Sequence, residues 1–315
     1  MPIEQDRNAA HHAYHLALRH LEERHPLLAA QQFEAAIALG LDPMIGLYER
    51  WKTWMLLGEF ERAWQETDRI ESERRRGRRV EGHLIWNGAG FRNKVVLLRS
   101  DHGLGDAIQF LRYAPLLKDQ CRHLIVKAKP ILIPLLRTLP YIDKAIPSSA
   151  PDPEFEVEME LTELPYIFRT TLQTIPAGVP YIRIINHEPA NSGNGSGNLN
   201  VGLVWASGPF NTRRSAGLAA LRQLSAIPGL SFLSLQWGPD WVQAHTSNPG
   251  LAISNAFQPI PEDLIETALA VLQVDLVLTV DTMIAHLAGA LAKPVWVLLH
   301  FDSDWRWMLD RFDSP

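Results

Sequence analysis

The sequence predicts an α/β protein in three parts, an all-α helical-repeat module followed by two α/β halves. Three observations lead there. Residues 8–74 carry apolar side chains at spacings of three and four, the mark of helices with one buried face. From residue 95 short β-rich runs alternate with helical stretches, the pattern of parallel strands joined by crossover helices. Between the two α/β halves lies Asn191-Ser192-Gly193-Asn194-Gly195-Ser196-Gly197-Asn198, a polar, glycine-rich stretch that reads as a flexible connection. The predicted domains are therefore 1–80, 81–190 and 199–315.

Composition limits the classes of function. Hydrophobic residues make up 46% and charged residues 21% of the 315, a globular balance that excludes a disordered or fibrous chain. No apolar run reaches the ~18 residues of a membrane span. The opening MPIEQDRNAAHHAYH has no apolar core for a secretory signal. The single cysteine, Cys121, excludes an intramolecular disulfide framework and a cysteine-built zinc cluster, and it suits a reducing cytoplasm. A formal net charge of -5 argues against binding nucleic acid through its phosphates.

Within 8–74 the interior breaks are turn-like: His25-Pro26, Gly40-Leu41-Asp42-Pro43 and Gly58. Sliding the segment by 34 residues aligns Tyr14 with Tyr48, Leu21 with Met55 and Ala29 with Ala63. That is the period of tetratricopeptide helix pairs, in which small residues let the two helices approach. The match is incomplete, since Phe33 meets Thr67 and Arg24 meets Gly58, so two degenerate repeats are expected. The run Arg74-Arg75-Arg76-Gly77-Arg78-Arg79 reads as cations complementing a helix C-terminus, with a basic binding patch as the alternative. His11, His12, His15, His20 and His25 read as a solvated helix face rather than a metal site.

Strands are predicted at Val95–Leu98, Leu124–Val126 and Tyr181–Ile184 in the first half. The second half has them at Val201–Trp205, Phe232–Leu235, Leu276–Val280 and Val295–Leu299. Three loops follow strand ends, where open α/β sheets bind ligands. In Ser100-Asp101-His102-Gly103-Leu104-Gly105-Asp106-Ala107 small residues let backbone approach a ligand, and Asp106 is either a helix cap worth ~1 kcal/mol or a catalytic carboxylate. Ile108 stands where a dinucleotide fingerprint has its third glycine. In Thr279-Val280-Asp281-Thr282-Met283, backbone N–H groups and the Thr282 hydroxyl at a helix start form a diphosphate site without metal. There Asp281 suits a sugar hydroxyl and His286 lies on the helix's inner face, with capping the plainer reading. In Thr212-Arg213-Arg214-Ser215 two guanidinium forks suit phosphate, or simply solvent. The triplet Asp302-Ser303-Asp304 lies among tryptophans, and no metal role is assigned to it.

Taken in order, several of these segments resemble bacterial glycosyltransferase family 9, the heptosyltransferase-like group, and its branch with N-terminal tetratricopeptide repeats. The resemblance rests on GLGDAIQFLRYAP within 95–115 and DLVLTVDTMIAHLAGALAKPVWVLL within 275–299. Leu203-Val204-Trp205-Ala206, Ser234-Leu235-Gln236-Trp237-Gly238 and Asp304-Trp305-Arg306-Trp307 match as well, so it covers roughly 83–315. It implies a GT-B fold, two Rossmann-like domains facing a cleft, with 81–190 on the acceptor side and 199–315 binding the donor. It implies an inverting, metal-independent glycosyltransferase with no cofactor, whose substrates are a nucleotide-diphosphate sugar and a glycan or protein acceptor recruited by the repeats. By motif position Asp106 is the general base, and Gly103, Gly105, Arg213, Arg214, Gln236, Asp281, Thr282 and His286 lie on the donor. Three departures from the branch stand out: Asp101-His102 in place of Glu-Gln, Ser215-Ala216-Gly217 in place of Ser-Ile-Pro, and an end at Asp313-Ser314-Pro315 where relatives continue into a helix that crosses back to the first domain. Either a different closure or a looser cleft than in relatives is expected. The competing classes are a non-catalytic repeat scaffold on a degenerate GT-B domain, and a hydrolase or epimerase of nucleotide sugars.

Overall fold

Helices α1 (Pro2–Glu22), α2 (Pro26–Ala38), α3 (Pro43–Leu56) and α4 (Phe60–Arg75) follow one another with short turns between them. Proline opens α2 and α3, where its missing N–H would have had no helical partner. The structure, a computed structural model, describes residues 2–75, 85–184, 197–246, 250–255 and 263–314. The chain divides into two units: Met1–His83 with Pro165–Ile175 and Phe301–Pro315, and Leu84–Leu164 with Pro176–His300.

In the first unit each helix packs on the next. Ala29 and Ala63, one 34-residue step apart, are both fully buried. Asp42 caps α3 by accepting from Met44 N at 2.9 Å, and Gly40 turns the chain before it with φ +99°. An ion network ties three helices: Arg69 reaches Glu34 at 3.1 Å and Glu66 at 3.0 Å, and Arg50 pairs with Glu66 at 3.0 Å and also with Glu34. Two distant segments join this module. Trp64 Nε1 donates to Thr170 O at 2.6 Å, and Asp68 accepts from Arg169 and from the Tyr166 hydroxyl, both at 2.7 Å. From the other segment Leu309 N donates to Leu56 O at 2.9 Å, Trp305 stands edge-on to Trp51, and Arg24 reaches Phe301 O at 2.9 Å. The chain beyond residue 300 thus belongs with the helices.

The second unit holds two parallel sheets. The first comprises β1 (Val95–Ser100), β2 (His123–Ala128), β3 (Lys144–Pro147) and β4 (Val157–Glu160), with α5 (Leu104–Phe110), α6 (Ala114–Lys118) and α7 (Ile133–Leu136) among them, while α8 (Leu164–Ile167) opens the segment that joins the helices of the first unit. The second comprises β5 (Leu199–Val204), β6 (Leu230–Ser234), β7 (Ile253–Asn255), β8 (Leu276–Val280) and β9 (Val295–Leu298), with α9 (Pro239–Thr246), α10 (Leu264–Leu272) and α11 (Met283–Ala290). Their orders are β3-β2-β1-β4 and β7-β6-β5-β8-β9, every described pairing parallel. Central strands of such sheets are covered on both faces, which is why Val96, Leu97 and Leu98 are all fully buried rather than alternating. Around β5 the core is Val201, Leu203, Trp205, Phe232 and Leu278 with Leu221 and Leu251, each such side chain contributing about 1.5–3 kcal/mol by burial.

One predicted strand is absent. Tyr181–Ile184 is not part of a ladder, because Tyr181 N and Ile182 N both donate to Ala290 O at the end of α11. The strands β3, β4 and β7 escaped sequence reading because they are three or four residues long and carry Lys144, Pro147, Glu158 or Asn255 in place of apolar runs. Residues 191–196 of the predicted connection and Arg76–Arg79 of the basic run lie outside the described residues. Among the described residues no helix is long and apolar enough to cross a membrane.

Candidate functional site

Strand order locates the site before any side chain does. In the first sheet the chain leaves β1 toward β2 on one side and later reaches β4 on the other, so the order reverses between β1 and β4. In the second it reverses between β5 and β8. Crevices at such switch points, beyond the carboxyl ends of the strands, are where open α/β sheets hold ligands. The loops at 101–106, 205–217 and 281–283 follow β1, β5 and β8 respectively.

The loop after β1 is held at each turn of its backbone. Asp101 N donates to Glu160 Oε1 at 3.3 Å, Lys129 Nζ donates to His102 O at 2.6 Å, and Gly103 N donates to Asp106 Oδ2 at 2.9 Å. Asp106 therefore caps its own helix, the plainer of the two predicted roles, while standing half-exposed at the helix start. Glu160 ends β4 and is 4% exposed. Burial pushes its carboxyl up to about 8, with the negative charges of Asp101 and Glu163 adding to the effect and the Asp101 N–H opposing it. Glu163 next to it is fully engaged, accepting from Glu160 N at 2.9 Å, Trp86 N at 3.1 Å and Ile85 N.

At the ends of β5 and β8 the charges are paired. Arg214 Nη1 lies 3.3 Å from Asp281 Oδ2, and Asp281 is 6% exposed. The Arg214 Nε is buried with no hydrogen-bond partner. Arg213 beside it is exposed. The loop carrying both is pinned by Ser207, which takes Ser215 Oγ on its N–H at 3.0 Å and donates its hydroxyl to Asn211 O at 2.7 Å. Thr282 caps α11, accepting from Ile284 N at 3.3 Å. Gln236 is buried and its amide is used entirely within the fold. Its Oε1 accepts from Trp205 N and Ala206 N at 3.1 and 3.0 Å, and its Nε2 donates to Ala206 O and Trp237 O, both at 3.1 Å. It shapes the loop after β5 rather than facing a ligand.

The two switch points meet. A Cβ on Gly105 would stand 3.0 Å from His286 Cδ2 and 3.5 Å from Met283 Cα, so α5 and α11 approach closely and a methyl group there would crowd the His286 ring. Tyr181 braces the same junction, donating its hydroxyl to Ile108 O at 3.1 Å while its backbone meets the end of α11, with Arg112 over its ring. Of the predicted residues, Gly105 and His286 are thus brought together, beside the backbone of Met283. Arg214 and Asp281 pair at the head of α11. Gly103 serves through its N–H. Lys129, Glu160, Tyr181, Ser207 and Ser215 were not predicted; only the positions of Glu160 and Lys129 just at or past strand ends could have pointed to them.

In the first unit, Asp304 accepts from Arg306 N at 3.0 Å and pairs with its side chain at 2.8 Å. Glu23 lies between His20 and His25 in the turn after α1, their ligand atoms within 4.8 Å, with two of the three residues exposed.

No protein-family model matches the chain. Among solved structures, a family 9 glycosyl transferase from Veillonella parvula DSM 2008 superposes with a TM-score of 0.50 at 12% identity, covering 67% of this chain and 82% of that one. The chain has the family 9 glycosyltransferase fold. A second similar structure is the iron-containing dodecameric glycosyltransferase TibC from enterotoxigenic E. coli H10407, with a TM-score of 0.49 and 15% identity over 72% of this chain and 62% of that one. Among curated proteins, FlbA of Caulobacter vibrioides is 24% identical over 247 residues, 68% of this chain. The chain spans about 40% of the length of that relative.

Proposed function

We propose that this chain transfers a sugar from a nucleotide-diphosphate donor to an acceptor hydroxyl, with inversion and without a metal ion. The observation that carries the reading is the meeting of both switch points at Gly105, Met283 and His286, with the Arg214–Asp281 pair at the head of α11. The diphosphate lies against the N-terminus of α11 and Arg214, whose unpartnered Nε and forked geometry suit an oxyanion. Arg213 adds an exposed cation beside it. Asp281 holds Arg214 in place and accepts from a sugar hydroxyl. His286 and Gly105 line the floor, and Gln236 acts as a positioning residue. Asp106 takes the proton of the acceptor hydroxyl as its oxygen bonds to the anomeric carbon and the bond to the diphosphate breaks. That demands that the carboxylate release Gly103 N or hold it and the acceptor hydroxyl at once.

The helical module, in this reading, is a pair of degenerate tetratricopeptide repeats over 1–80, followed by an acceptor-side domain over 81–190 and a donor-side domain over 199–315. Helical repeats present faces suited to peptides, so the module is assigned to holding a protein acceptor. Thermal stabilisation by uridine, guanosine and adenosine diphosphates, with and without Arg214→Ala, tests the donor site. Stabilisation by one of them that vanishes in the variant supports it. A chain that no nucleoside diphosphate stabilises at millimolar concentration, while residues 1–80 still capture a partner, favours the non-catalytic scaffold. Release of free sugar to water in place of transfer favours a hydrolase.

A further inference from the structure

The turn between α1 and α2 gathers three metal-ligating side chains, two of them from the histidines whose spacing predicts a solvated face. Its backbone closes the end of α1 with two hydrogen bonds. Arg24 N donates to Leu21 O at 3.0 Å and His25 N to His20 O at 2.7 Å, with Arg24 in the left-handed region at φ +59°. A helix end of this kind brings together the side chains of the two residues joined by the longer bond, ordinarily as an apolar contact. Here both are imidazoles: His20 and His25 have ring centroids 6.2 Å apart. Glu23 stands between them, its Oε2 at 3.9 Å from His20 Nδ1 and 3.7 Å from His25 Nδ1. Ligand atoms from the three residues lie within 4.8 Å of one another.

These separations are too long for hydrogen bonds and close to those around an ion. Donors on a tetrahedral ion with bonds of ~2.1 Å stand ~3.4 Å apart. Glu23 and His25 have side chains 52% and 57% exposed, which leaves room for the rotations that close the set. His20 Nδ1 is buried with no hydrogen-bond partner, so a proton there lacks an acceptor and a lone pair lacks a donor. Glu23 also puts a carboxylate at the C-terminal end of α1, where the helix dipole favours a cation. The other calls on the turn are met elsewhere. His25 stands at the N-cap of α2 without a side-chain capping bond, and Arg24 donates to Phe301 O at 2.9 Å with its guanidinium over the Phe301 ring.

We propose that His20, Glu23 and His25 bind a divalent first-row transition ion of the zinc class. Two imidazoles with one carboxylate suit such an ion, whereas calcium and magnesium call for sets built of oxygen. Solvent completes the coordination on the exposed side. The ion ties the last turn of α1 to the start of α2. It takes no part in the sugar transfer proposed above, so the two readings fail separately.

Calorimetric titration of the full chain with zinc chloride, after treatment with a chelator and dialysis, tests the site. One saturable site is expected, and zinc should raise the melting temperature of the chain. His25→Ala and Glu23→Gln, both at exposed positions, should each weaken zinc binding at least about tenfold, since losing even a residue that supports a ligand costs ~10–100-fold. The zinc-dependent rise in melting temperature should disappear in both. The double variant His11→Ala, His15→Ala removes the other histidines spaced four apart on α1 and should leave zinc affinity unchanged. His20→Ala should behave like His25→Ala; should it fail to fold, the two exposed variants carry the test alone. Zinc affinity that survives either exposed variant overturns the proposal, as does affinity lost with His11 and His15. A chain that millimolar zinc does not saturate overturns it too.

Discussion

The loops after β1 and after β8 are built from the same parts and use them oppositely. Each follows the end of a parallel strand, carries an aspartate and opens a helix lined with small residues. After β1 the aspartate, Asp106, caps its own helix by accepting from Gly103 N. After β8 the cap is Thr282, and Asp281 is left to pair with Arg214 from the loop after β5. One carboxylate is tied to its own backbone and half-exposed; the other is tied to a distant cation and buried. Asp106 stands three residues past the N-cap Gly103 and reaches back to its N–H, whereas Asp281 stands just before the N-cap Thr282, whose hydroxyl does the capping. In the second loop that hydroxyl frees the aspartate for another partner.

Replacing Asp106 with asparagine puts the largest strain on this contrast. Asparagine caps a helix about as well as aspartate, so stability should change by less than about 0.5 kcal/mol. It cannot take a proton, so turnover should fall by about 10²–10⁴-fold while nucleoside diphosphate affinity holds. Steady-state transfer assays beside thermal melts separate the two. Unchanged turnover would reduce Asp106 to a cap.

Much of this was legible in the sequence, and the reasons for the rest are physical. The apolar strands β1, β2, β5, β6 and β8 were found because a covered parallel strand reads as a continuous apolar run, and β9 because its run is apolar although Trp296 and Leu298 are exposed. Tyr181–Ile184 has the same texture, yet its N–H groups meet a helix end, a tertiary choice that leaves no local trace. Asp106, Arg214, Asp281 and Thr282 were named from their place after strands, but which acid pairs with which cation is decided across 67 residues of chain. Gln236 looked like a ligand contact because polar residues after strands often are. Its amide is engaged by the backbone at 205, 206 and 237 instead. Glu160 was invisible because nothing in Val157-Glu158-Met159-Glu160 says which glutamate is buried.

Arg214→Ala sharpens the other half of the contrast. It leaves the buried Asp281 without its cation, a loss of about 1–3 kcal/mol, given that Arg214 itself is partly exposed. It should also abolish stabilisation by nucleoside diphosphates. The double variant Arg214→Ala, Asp281→Ala should recover part of the stability but none of the binding. Full additivity of the two single losses in chemical denaturation would mean that the pair in the structure carries no coupling.

A smaller loss than that at Arg214 is expected at the place where the two loops meet. Gly105 has no left-handed backbone to maintain, so its only need is space: a methyl group there would press on His286 Cδ2 at 3.0 Å and approach the backbone at Met283. Gly105→Ala should cost about 1 kcal/mol by crowding, partly offset by the helix preference of alanine. Because the imidazole can swing and the Met283 backbone cannot, His286→Ala in the same chain should return most of that loss. The donor-site reading adds a second expectation. If α5 and α11 together floor the diphosphate site, Gly105→Ala should weaken nucleoside diphosphate binding more than it lowers the melting temperature of the free chain, and the double variant should recover stability before affinity. Affinity that follows stability in both variants would mean that the meeting of the two helices is packing alone, and that each loop works, or fails to work, without the other.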